Sequence, residues 1–166
     1  DELKSYTTEA QDRDYDMLLA RLRQDQPAAE RVEPWQSVFL REKVRTEQFD
    51  VDSKIVRQYF NYNATRDGIL TLVQDLFGVQ LKPWATETWH EEVEAYELWD
   101  DGELIGNFYL DMHPRDGKFG HAAAFQIQDG IAGVQLPLAT LVCNFPRGGE
   151  LMQHNQVVTF LHEFGH

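Results

Sequence analysis

Apolar positions in the first half of the chain recur with a helical period. Tyr15, Leu18, Leu19 and Leu22 fall at i, i+3, i+4 and i+7 and predict one apolar stripe. Thr8 and Gln11 have capping-box spacing, which starts this helix near Thr8, and Asp25 to Pro27 end it. A second helix is predicted from Pro34, a favourable first-turn residue, to about Gln48, with Trp35, Val38, Phe39 and Val44 facing inward. A third starts near Asp52 as N-cap and carries Ile55, Val56, Tyr59 and Phe60. The fourth covers Ile69 to Phe77 and stops at Gly78, which can adopt the left-handed conformation that closes a helix.

After Leu81-Lys82-Pro83 the period shortens to that of strands. Val93 to Trp99 and Leu104 to Leu110 predict a hairpin turning at Asp100-Asp101-Gly102. A loop of turn-forming and charged residues, His113 to Lys118, leads to a third strand over His121 to Ile127. Asp129-Gly130 marks another turn, and Leu138 to Asn144 reads as a nearly all-apolar fourth strand. Pro146 to Gly149 break the chain before a last helix. The expected class is α+β, mainly helical, with a small, mostly antiparallel sheet beside that last helix. The helices occupy about 8–78, the sheet about 91–145 and the final helix about 154–166, all within one domain that forms part of a larger one.

The final helix carries the chemistry. Val157-Val158-Thr159-Phe160-Leu161-His162-Glu163-Phe164-Gly165-His166 sets His162 and His166 one helical turn apart on one face. Two neutral imidazoles at this spacing can bind one zinc ion. Glu163, one step round from His162, can take the proton of a metal-bound water as general base. A core helix carrying two histidines by accident is the plain alternative. The surrounding apolar residues would bury such a helix on nearly every side, and ionisable groups are rarely buried without a partner or a metal. A catalytic zinc takes three protein ligands. With the second histidine at position 166, a third would have to lie outside these residues, so the 166-residue chain is expected to be inactive and to hold zinc weakly or not at all. The same apolar helix, left uncovered, predicts self-association.

Composition narrows the partners. A formal net charge of −13 disfavours nucleic acid and anionic membrane surfaces. A single cysteine, Cys143, excludes an intramolecular disulfide and fits a reducing compartment, so a cytoplasmic location is expected. The chain begins Asp1-Glu2, and nothing follows from that about targeting of the parent protein.

Other candidates read as structural. His154 fits a histidine in a cap region, and His90 and His113 fit structural or solvent-exposed positions. Cys143 fits a small buried residue in an apolar strand better than a nucleophile. Trp84 and Trp89 fit core packing.

With these residues in place the sequence resembles the thimet oligopeptidase family of zinc metallopeptidases, which includes oligopeptidase A and bacterial peptidyl-dipeptidase. The resemblance rests on the HEFGH of His162 to His166, on Leu141-Val142-Cys143-Asn144-Phe145-Pro146, and on Gly106-Asn107-Phe108-Tyr109-Leu110-Asp111 followed by Arg115 and Gly117-Lys118. It runs from about Trp35 onward, through Tyr59-Phe60, Leu76-Phe77-Gly78 and Trp89-His90. It implies a mostly helical fold with a small sheet at the floor of a channel that admits short peptides. It also implies zinc on His162 and His166, and Glu163 as base. The family's third ligand, a glutamate, and its transition-state tyrosine and histidine lie beyond residue 166. Two positions depart from the usual pattern. Gln36 follows Trp35 where relatives carry Asp, and His121-Ala122-Ala123-Ala124 stands for Gly-Gly-Ala-Trp. Those four residues are the candidate substrate-binding stretch, because small side chains at a sheet edge let a peptide backbone approach; alanines that simply pack under a neighbouring helix are the equal alternative. A non-catalytic peptide-binding module that keeps the helix is the alternative. A peptidase of another HExxH class, whose third ligand is a histidine, is a further one.

Overall fold

The computed structural model describes residues 2–49 and 53–166. The chain divides into two compact units, Asp1–Val56 and Arg57–His166.

The first unit is helical. Helix α1 spans Glu2–Asp25 and helix α2 spans Ser37–Phe49, entered through a single 3-10 turn at Pro34–Gln36. Helix α1 begins well before Thr8, so the Thr8/Gln11 pair sits inside it and not at its start. The entry to α2 is held by the Glu33 backbone N–H, which donates to Gln36 Oε1 at 2.9 Å. The buried apolar residues described in this unit are Leu22, Leu40 and Val44, whereas Trp35, Val38 and Phe39 are exposed. The inward face of α2 is thus offset from the predicted one, and of the predicted set only Val44 is buried. Arg21 Nη2 donates to Glu47 Oε1 at 2.8 Å, and Lys43 Nζ donates to Asp25 Oδ2 at 2.7 Å, closing α1 onto α2.

Helix α3 is one short turn, Ser53–Arg57. The predicted cap Asp52 lies outside the described residues, and Tyr59 and Phe60 fall beyond the end of α3 instead of on it.

The second unit holds the core. Helix α4 runs Tyr62–Phe77, starting earlier than the apolar stripe suggested, because Asn61 caps it by accepting from the Ala64 N–H at 3.0 Å. It ends where expected. Gly78 takes φ 71°, and its N–H donates to the Gln74 carbonyl at 2.9 Å.

Five strands follow: β1 Gln80–Pro83, β2 Glu94–Asp100, β3 Glu103–Asp111, β4 Ala123–Gln128 and β5 Leu138–Val142. Their order across the sheet is β1-β2-β3-β5-β4. Neighbours pair antiparallel except β3 with β5, which run parallel. The β2–β3 hairpin turns through Asp101 (φ 44°) and Gly102 (φ 84°), the pair of positive φ angles that matches the twist of the flanking strands. Strand β1, short and ending in proline, was not predicted.

Helix α5, His154–Gly165, packs on one face of this sheet. Phe160 is fully buried among Tyr62, Leu110, Met112, Cys143, Phe145 and Met152. The Phe164 ring meets Phe108 of β3 edge-on, with centroids 5.6 Å apart. Val158 and Leu161 remain exposed, so α5 has one buried face and one open face instead of the nearly complete burial its composition suggested. Among the described residues no helix is long and apolar enough to cross a membrane.

Candidate active site

The site begins with how α5 is anchored. Its N-terminus is closed reciprocally: the Gln153 N–H donates to Gln156 Oε1 at 2.8 Å, and the Gln156 N–H returns to the Gln153 carbonyl at 2.9 Å. Just upstream, the Met152 N–H donates to the Phe60 carbonyl at 2.7 Å, and Arg57 Nη2 donates to the Leu151 carbonyl at 2.8 Å. These bonds fix where α5 starts, and burial of Phe160 fixes its rotation. Helical geometry then decides the rest.

His162 and His166 come out on the open face, both exposed, with ring centroids 4.9 Å apart and planes at 88°. Glu163, a third of a turn round from His162, sits nearer the buried face and is 9% exposed. Its carboxylate lies close enough to the β5 end to act on Cys143, whose thiol is pushed up to about 12, chiefly by burial and then by the Glu163 charge. Cys143 is fully buried and is therefore a packing residue. Among the described residues no side chain donates a hydrogen bond to the Glu163 carboxylate, and no three His, Cys, Asp or Glu side chains converge on a common point.

Glu163 and His166 line a cavity of about 1020 Å³ on the α5 face of the sheet. Its lining also includes Ala122, Ala123 and Ala124, so the structure brings most of the expected substrate stretch to the cavity that Glu163 borders. His121 does not line it; its ring packs beside Phe119, 5.5 Å between centroids. Strand β4, which carries Ala123 and Ala124, is the edge of the sheet next to β5.

The remaining candidates are partnered or lie away from the cavity. His113 Nδ1 is 3.1 Å from the Phe145 carbonyl, and its ring meets Tyr62 edge-on. His90 Nδ1 accepts from the Glu92 N–H at 3.2 Å. His154, on the first turn of α5, is exposed beside Phe60. Trp84 and Trp89 both pack on Tyr109, but Trp89 is half-exposed instead of core, and its Nε1 donates to Asp111 Oδ2 at 2.9 Å.

That last bond belongs to a polar cluster whose members the resemblance named, but whose convergence the sequence did not reveal. Asp111 accepts two bonds from Arg115, at 2.6 and 2.7 Å, and pairs with Lys118 Nζ at 2.9 Å. Lys118 Nζ also donates to the carbonyls of Asp111, His113 and Cys143. Burial alone would raise the Asp111 carboxyl, but the bonds from Arg115, Lys118 and Trp89 outweigh it and hold it well below the usual carboxylate range. The available signal was an acidic residue ending an apolar strand, followed closely by Arg115 and Lys118. Asn107, whose side-chain oxygen is buried without a partner and which also borders the cavity, stood out only as part of the Gly106 to Asp111 stretch, with no role of its own.

Comparison with known proteins settles the relationship. The description of Peptidase family M3 matches residues 1–166. The chain belongs to peptidase family M3. Within it, a thimet-like oligopeptidase of Dictyostelium discoideum is 35% identical over 144 residues, covering 80% of this chain and 21% of the relative. Oligopeptidase A of Escherichia coli is 33% identical over 145 residues, 81% of this chain and 21% of the relative. A mitochondrial intermediate peptidase of Arabidopsis thaliana is 36% identical over 155 residues, 84% of this chain and 21% of the relative. The chain therefore spans about a fifth of the length of these M3 relatives.

Proposed function

We propose that this chain carries the metal-binding and general-base segment of a zinc-dependent peptidase that hydrolyses short peptides. The carrying observation is the split across α5: two exposed imidazoles one turn apart, and beside them a carboxylate turned into the cavity bordered by the sheet edge. Membership of family M3 and the printed names of the oligopeptidase relatives support the substrate class.

The donor set suits zinc. Among the described residues, His162 and His166 offer two nitrogen ligands with no competing partner except each other's rings. When bound, the metal would supply the Lewis acidity that makes water a nucleophile near neutral pH. The protein's own part is proton handling and positioning. Glu163 accepts the proton of the attacking water on its carboxylate and delivers it to the leaving amine nitrogen. The stretch His121 to Ala124, with β4 at the edge of the sheet, holds the peptide through its backbone, and small side chains permit that approach. Two imidazoles are half of a tetrahedral shell. The 166-residue chain alone is therefore proposed to hold zinc weakly and to lack turnover. Its open α5 face, with Val158 and Leu161, is proposed to drive its self-association.

In the full-length protein, Glu163→Gln should lower kcat by at least about 10²-fold while zinc content stays at the wild-type level. Wild-type turnover in that variant would remove the base assignment and leave a peptide-binding module as the better reading.

A further inference from the structure

Strand β4 is the last strand of the sheet, and it lines the cavity that contains Glu163 and His166. Any chain laid along it inherits the alternation of a pleated sheet, with successive side chains on opposite faces. Residues paired across β4 and β5 share a face. Ala124 stands opposite Leu141, a core residue under α5, so it lies on the helix face. Phe125 stands opposite Thr140, so it lies on the other face.

The two faces differ in what they offer. On the helix side Ala124 leaves room. On the far side Phe125 is 45% exposed, and Phe119, 49% exposed, packs on it edge-on with ring centroids 5.9 Å apart. The loop that carries Phe119 is not free to swing away: Asn144 Nδ2 donates to the Phe119 carbonyl at 3.0 Å, tying it to the end of β5. Two adjoining, half-open phenyl rings beside a sheet edge form an apolar platform in a fixed place. A ring or branched aliphatic group set on them would leave water and gain the edge-to-face contacts that aromatic pairs favour.

Resting on the peptidase reading above, we infer that Phe119 and Phe125 form a subsite for one aromatic or large aliphatic side chain of the bound peptide. The pleat gives this subsite a signature. Selection by these rings falls on one peptide position and its second neighbours, and skips the residue between, which faces α5.

The test uses the full-length protein and a peptide series in which Phe replaces Ala at one position at a time. Two readouts are taken: kcat/KM for hydrolysis, and binding of the same peptides made uncleavable by a reduced scissile amide. The expected wild-type result is a Phe-over-Ala ratio of about tenfold at one position in both readouts, with no ring-dependent selection at the next. Phe125→Ala and Phe119→Ala should collapse that ratio toward one, and Phe125→Leu should keep part of it. Should an alanine variant fold poorly, Phe125→Leu and Phe119→Leu carry the test. A ratio that survives every variant overturns the subsite, as does equal selection at consecutive positions. Absence of hydrolysis with an intact binding ratio would sink the peptidase reading and leave the subsite standing, so the two failures are distinguishable.

Discussion

The ionisable groups around Asp111 and those around Glu163, both within the second unit, are built on opposite terms. Around Asp111 every capacity is used. Its oxygens take bonds from Arg115 and Trp89 and an ion pair from Lys118, and the lysine's three donors go to three carbonyls. Around Glu163 almost nothing is used. The carboxylate receives no side-chain hydrogen bond among the described residues, and His162 and His166 are exposed with only each other's rings for company. Buried polar groups that are fully satisfied stabilise a fold, and groups left with spare capacity at a cavity wall are available for chemistry. The difference separates a cluster that is fully bonded from one with free capacity without reference to any relative.

Breaking the satisfied cluster should give the largest effect on stability. Asp111→Ala leaves Lys118, 3% exposed, buried without its charge partner. The expected loss is about 3–5 kcal/mol in urea unfolding, the usual consequence of removing one member of a buried pair. Glu163→Ala should cost much less by the same measurement. Equal losses at the two sites would erase the contrast.

The same cluster shows what was legible in the sequence and what was not. The placement of His162 and His166 on one face of α5 could be read directly, because it depends only on helical spacing. The β2–β3 hairpin was legible through Asp101-Gly102, and the end of α4 through Gly78, since both positions need a conformation few residues adopt. The inward face of α2 was not. Apolar spacing showed a stripe at Trp35, Val38 and Phe39, but burial went to Leu40 and Val44, a choice made by packing against α1. Strand β1 hid behind its length and Pro83, and α4 hid its start behind polar residues that only the Asn61 cap explains. The parallel pairing of β3 with β5 and the convergence of Asp111, Arg115 and Lys118 are products of tertiary contact. No local period encodes them.

Acid should sharpen the comparison next. The folded-state Asp111 carboxyl is held below its ordinary value of 3.8. Its contribution is therefore complete above that value and is lost as pH falls toward the folded pKa. Stability followed by circular dichroism should drop below about pH 4, and Asp111→Asn should flatten that limb. An unchanged acid limb in the variant would place the acid sensitivity elsewhere, at carboxylates such as Glu92, which Arg147 also holds low.

A smaller effect is expected at the cap of α4. Asn61→Ala removes the acceptor for the Ala64 N–H and should cost about 1 kcal/mol in the same unfolding measurement, with the zinc-related properties of the full-length protein untouched. A loss of zinc in this variant would show that the site depends on α4 more than its anchoring bonds imply.

The most direct measurement is the zinc content of the full-length protein with single histidines removed. The account predicts that His162→Ala and His166→Ala each lose the metal after dialysis. His113→Ala, whose imidazole sits on the Phe145 carbonyl and the Tyr62 ring, should keep it at the wild-type level. Zinc retained in both His162→Ala and His166→Ala would contradict the account.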